Sequence, residues 1–137
     1  MKRLTICERK IMNNKPFPKE GEIWLVKFEK LKEFSKPYRP CLVVSNNAQN
    51  EFDTKIVVVA MTSEEINEIQ PFEVYIENTS ETGLDEPSKI LCNYPHTIYK
   101  KLRLVGKQYL GVVNEKILEK VKEALAIVLN LKKYSWS

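Results

Sequence analysis

Between Gly21 and Val105 the chain passes through a succession of short runs rich in β-branched residues, and after Asn114 its hydrophobic period lengthens from two to three and four. That order predicts a strand-rich body with one amphipathic helix packed on it. Glu22 to Phe28 alternates, with Ile23, Leu25 and Lys27 on one face and Trp24, Val26 and Phe28 on the other, as in a strand partly covered on both sides. Cys41 to Ser45 and Lys55 to Met61 follow as an expected antiparallel pair. Between them lie Asn46, Asn47, Asn50 and Asp53, which favour turns because their side chains bond nearby backbone. Phe72 to Ile76, Lys89 to Asn93 and Leu102 to Val105 complete five to six strands at the spacing of a small barrel or sandwich, with a turn-rich stretch around Gly83. Asn114 is a good N-cap for a helix that carries Ile117, Leu118, Val121, Leu125, Val128 and Leu129 on one side. Lys132 and Lys133 are expected to close it against its dipole. The expected class is mainly β with a C-terminal helix.

At 137 residues, this is one domain on length alone. Residues 1–20 hold six Lys/Arg and two Glu, so the whole net charge of +4 sits there, and Pro16 and Pro18 stop regular structure before Gly21. The expected division is a flexible basic arm over 1–20 and a folded domain over 21–137. Within the domain, Lys27, Lys30, Lys32, Lys36 and Arg39 crowd one segment, whereas residues 56–88 hold eight acids and no base. Such a split favours an anionic ligand on one side and repels it on the other. No run of about 18 apolar residues occurs, which predicts a cytoplasmic protein with no membrane span. Cys7, Cys41 and Cys92 lack CxxC spacing, so they read as small hydrophobes and no metal or cofactor is assigned.

Several residues carry chemistry. Pro40 pushes Arg39 toward extended geometry at the start of a strand, where a planar guanidinium suits a phosphate. Thr62 and Ser63 place two hydroxyl donors at the end of the neighbouring run, and neither has an adjacent base that would make it a covalent nucleophile. Lys27, Lys30, Lys32 and Lys36 suit phosphates or a solvated face, with Phe34 and Tyr38 placed to stack on bases, while Phe28 reads first as a barrel plug. Asn47 and Asn93 either read base edges or hold turns. His96, the single histidine, is either a structural residue or a proton carrier whose ordinary pKa is about 6.5.

In order, GEIWLVKF, YRPCLVVSNN, IVVVAMTS, PFEVYI, GLDEPSKILCNYPHTI and VGKQYLGVVNEKILEKVKEALAIVL resemble the successive segments of the MazF/PemK toxins, from Gly21 to Leu131. The resemblance implies an SH3-like barrel of the CcdB/PemK type and a homodimer. It also implies metal-independent, sequence-specific cleavage of single-stranded mRNA, with 2′,3′-cyclic phosphate and 5′-hydroxyl ends. Arg39 and Thr62 match the family's catalytic residues, with Ser63 beside Thr62, and His96 stands where the family commonly carries arginine. RNA selection would fall to Lys27, Lys30, Lys32, Phe34, Lys36, Tyr38, Asn47 and Asn93. The implied partners are RNA, a cognate antitoxin and, through the toxin-antitoxin complex, promoter DNA. Two rival readings are a non-catalytic SH3-like binding module and a gyrase poison of a related toxin family sharing the barrel. The second leaves Arg39 and Thr62 together unexplained.

Overall fold

The computed structural model describes residues 17–28 and 38–133, with only the backbone at 105–107. Residues 1–16 of the expected arm, Cys7, and Lys30, Lys32, Phe34 and Lys36 lie outside the described residues. Among the described residues, six strands form one sheet in the order β4-β5-β3-β2-β1-β6, every neighbouring pair antiparallel. The strands are β1 (Glu22–Lys27), β2 (Tyr38–Val43), β3 (Lys55–Thr62), β4 (Glu73–Ile76), β5 (Ser88–Tyr99) and β6 (Leu104–Val112). The helices are α1 (Asn47–Phe52), α2 (Lys100–Arg103) and α3 (Glu115–Val128).

The period-two alternation of β1 has a direct cause: the sheet carries a core on each face. Ile23, Leu42, Val59, Met61, Val74, Ile76 and Ile90 pack under α3 through Val121 and Ala124. Trp24, Val26, Phe28, Cys41, Val43, Ile56, Val58 and Ile98 fill the inside of the curled sheet. Burying about eight such side chains contributes on the order of 10–20 kcal/mol per core before chain entropy is subtracted. The mainly β barrel with its C-terminal helix is the expected fold.

β5 differs from expectation. It runs for 12 residues through Pro95, where a five-residue strand was expected. Val59 pairs with Pro95 and Met61 with Ile90, so two steps along β3 match five along β5. This bulge lets β5 continue through Pro95 and turns the strand over. Before it, Ile90 and Cys92 point into the helix-side core, and after it, Ile98 points into the barrel core. Leu102 belongs to α2, not to a strand, and is 68% exposed.

Asn46 to Asp53 is likewise more than a turn. The Asn46 side chain accepts the Gln49 N–H at 2.9 Å and starts α1. Lys100 Nζ then donates to the Asn50 carbonyl at 2.7 Å, satisfying a helix-end acceptor. Asn114 caps α3 as expected, accepting the Ile117 N–H at 2.9 Å. That helix ends at Val128, before Lys132 and Lys133. Lys132 pairs with Glu123 instead, and Leu129 is exposed.

Candidate functional site

Cys41 faces Ala60 and Val43 faces Val58 across β2 and β3. Two residues further along that register, Arg39 comes opposite Thr62. The guanidinium is fixed there, because Arg39 Nη1 donates to the Met61 carbonyl at 3.1 Å. Both residues are half-buried, and both line a cleft of about 270 Å³ with Tyr38, Ser63, Glu64, Asp85 and Glu86. Thr62 Oγ1 accepts the Glu64 N–H at 3.1 Å, a bond that does not spend its own hydroxyl proton. Ser63 is exposed at the same rim.

The acidic wall depends on a contact between distant segments. Gly83 has φ +69, and a Cβ there would lie 1.9 Å from the Leu110 carbonyl oxygen. Opposite it, a Cβ on Gly111 would lie 2.2 and 2.3 Å from the carbonyl oxygens of Glu81 and Thr82. Two glycines therefore let the 79–83 turn rest directly on β6, and Val112 donates its N–H to the Glu81 carbonyl at 2.9 Å. Leu84 buries itself just after the turn, which sets Asp85 and Glu86 at the cleft. The charge split along the chain is thus not a split in space here. Arg39 shares its cleft with three carboxylates, so the expectation that acids and bases occupy opposite sides is corrected at this point.

The remaining candidates scatter. Lys27 is exposed and pairs in register with Tyr38, its Nζ 6.0 Å from the centre of that ring, at the cleft rim. Phe28 is 5% exposed inside the barrel, as its plug reading requires. His96 does not line the cleft. Its ring packs 5.1 Å from that of Phe28, and its cross-strand partner Val58 is four residues from Thr62, about 13 Å of extended strand. Asn93 lies in the β5 bulge with a buried Oδ1 that has no hydrogen-bond partner among the described residues. Asn47 sits beyond the far end of β2, where its Oδ1 accepts the Glu20 N–H at 2.8 Å and holds a turn.

Cys41 and Cys92 are buried in different cores and are both free thiols. Burial pushes the Cys41 thiol far above its ordinary range, with Arg39 opposing more weakly. Burial first, then the Glu73 charge, pushes Cys92 up to about 12. The unfolded chain releases the Cys92 proton near 9.0, so this thiol's contribution to stability is complete below that pH and is lost as pH rises toward about 12. Thiol titration of the native protein at about pH 8 is expected to leave both residues unmodified and to reach them only in denaturant.

A larger groove of about 800 Å³ runs between α3 and β4, lined by apolar residues such as Ile69, Val74, Ile117 and Ile127. It is remote in character from the Arg39 cleft, where a fixed cation meets hydroxyls, and we take the smaller cleft as the candidate site. No helix among the described residues is long and apolar enough to cross a membrane.

A family model described as PemK-like, MazF-like toxin of type II toxin-antitoxin system matches residues 19–129. No curated protein sequence matches. Among solved structures, the chain is similar to an endoribonuclease in complex with its cognate antitoxin from a mycobacterial species. That pair is 23% identical with a TM-score of 0.67, covering 85% of this chain and 99% of the other. The Mycobacterium tuberculosis toxin MazF-mt6 is 19% identical with a TM-score of 0.65, covering 82% and 99%. MazF from Deinococcus radiodurans is 20% identical with a TM-score of 0.66, covering 83% and 97%. At these identities the likeness to solved structures establishes the fold.

Proposed function

The chain belongs to the PemK-like, MazF-like toxins of type II toxin-antitoxin systems, and on that premise we propose that it is a metal-independent, sequence-specific endoribonuclease of single-stranded mRNA. The observation that carries this reading is the convergence of Arg39 and Thr62 on one cleft. In the proposed reaction, the ribose 2′-hydroxyl loses its proton and attacks the adjacent phosphorus. The P–O5′ bond breaks, and the departing oxygen takes up a proton. Products are a 2′,3′-cyclic phosphate and a 5′-hydroxyl. Arg39 stabilises the charge that builds on the phosphoryl oxygens, its guanidinium held at the cleft by its bond to the Met61 carbonyl. Thr62, with Ser63 beside it, donates a neutral hydrogen bond to the same phosphate.

His96, about 13 Å of extended strand from Thr62, is out of hydrogen-bond reach of a phosphate held in the cleft, so water takes the 2′-hydroxyl proton and supplies the one on the 5′-oxygen. A loss of about 10²-fold in turnover on His96→Gln, with RNA affinity held, would make His96 a proton carrier after all. Near-normal turnover is expected and leaves His96 in the barrel core beside Phe28.

RNA would lie along the Lys27 and Tyr38 rim, a base stacking on the exposed tyrosine. Lys30, Lys32, Phe34 and Lys36 extend this role in sequence, whereas Asn47, which holds a turn beyond the far end of β2, and Asn93, in the β5 bulge, are left out of the RNA path. The partners of the proposal are a second copy of the chain, a cognate antitoxin like the one in the mycobacterial complex, and promoter DNA through the toxin-antitoxin complex. The proposed location is the cytoplasm.

The three carboxylates around Arg39 favour one rival, a binding module that holds its ligand without turnover. Incubating a long unstructured RNA with the protein in EDTA separates the two. Fragments whose 5′ ends accept phosphate from a polynucleotide kinase without prior dephosphorylation support the nuclease. RNA retention with no fragments supports the module.

A further inference from the structure

We propose that Lys89, clamped by Glu73, is a positioning residue that holds the Thr62 hydroxyl and the turn after it in their catalytic geometry; this rests on the nuclease reading above. Lys89 is only 5% exposed, unusual for a lysine. Its Nζ lies 3.1 Å from Glu73 Oε1, and the two side chains are 7% and 9% exposed. The same ammonium donates to the Glu68 carbonyl at 3.1 Å. Glu73 Oε1 also accepts the Gln70 N–H at 2.9 Å, and the Glu73 N–H returns a bond to the Gln70 carbonyl at 2.9 Å.

Together these bonds tie both β4 and the far end of the 63–70 turn to β5. Thr62 is the register partner of Lys89, so the near end of the turn starts from the same pair. The turn itself is mostly exposed and carries a strained Glu65 at φ 53. Its other bonds are weak anchors: Glu64 N–H to Thr62 Oγ1, and Glu68 N–H to the Glu65 carbonyl at 3.3 Å. A buried ion pair is no better for stability than two well-packed apolar side chains, because desolvation cancels most of its attraction. Stability therefore does not explain an ammonium at this position. Anchoring a backbone carbonyl of the turn that follows Thr62 does, since an apolar side chain cannot make that bond.

The test uses the full chain carrying both Lys89→Met and Glu73→Met, which removes the two charges together, with Lys89→Arg as the conservative variant. Hydrogen exchange of the 63–70 amides and steady-state cleavage of one RNA are the readouts. In the double variant, exchange at Glu64 and Gln70 is expected to rise at least about tenfold, with the core strands and α3 unchanged. Turnover should fall about 10²-fold with KM held within about twofold, the signature of lost alignment. Lys89→Arg should recover most of both losses. Wild-type exchange or wild-type kcat in the folded double variant overturns the proposal. If the double variant does not fold, Lys89→Met with Glu73→Gln carries the same test on turnover and Glu64 exchange, because it removes the donor to the Glu68 carbonyl and keeps an acceptor for the Gln70 N–H. Should the unmodified protein cut no RNA, the nuclease reading and the catalytic role of Lys89 both fall. The exchange data would then show whether the clamp alone holds the turn.

Discussion

Replacing Arg39 with alanine is expected to lower RNA turnover by about 10²–10³-fold, the usual cost of deleting a donor aimed at developing charge. The loss should appear in kcat more than in KM, because the guanidinium is fixed before substrate arrives by its bond to the Met61 carbonyl. Lysine should restore little. An ammonium at the end of a flexible stem cannot hold the Met61 carbonyl and grip a phosphate with a planar fork at once. Arg39 is half-buried at a strand end, so the melting temperature of the alanine variant is expected to stay within a few degrees of the parent's. Turnover within about tenfold of the parent would move the chemistry out of this cleft.

The second large effect concerns folding. Gly83→Ala is expected to cost about 3 kcal/mol or more, a fall in Tm of roughly 10 °C. A methyl group there would meet a carbonyl oxygen of β6 at 1.9 Å, and backbone cannot give way as a side-chain tip can. Gly21→Ala provides the control. Gly21 has φ +88, the same hand, but its nearest neighbours are Leu118 Cδ2 at 3.6 Å and Val113 Cγ2 at 3.9 Å. That variant bears only the conformational penalty of about 1–2 kcal/mol. Equal melting temperatures for the two alanine variants would rule out the close approach of the turn to β6. Because this approach places Asp85 and Glu86, Gly83→Ala should also alter RNA binding in whatever protein remains folded.

Legibility in the sequence followed the range of the interactions. The alternation in β1 and the antiparallel pairing of β2 with β3 were readable because local period and nearby turns decide them. So was the meeting of Arg39 with Thr62, since two strand ends in register follow from the pairing alone. β5 was not readable. Pro95 looks like a terminator, and its tolerance depends on a bulge formed against β3. The acidic side of the cleft was hidden for a similar reason, since Gly83 and Gly111 are far apart in the chain. Lys89 and Glu73 were missed because each reads as a surface residue alone. A usable signal did exist: the two sit in neighbouring apolar runs, KILC and FEVYI, with opposite charges on facing strands.

β5 is a shared beam between two rooms, contributing Ile90 and Cys92 to one and Ile98 to the other. Neither room can be furnished while that beam is down, so the helix side and the barrel interior should melt as one event. Calorimetry should record a single heat-absorption peak.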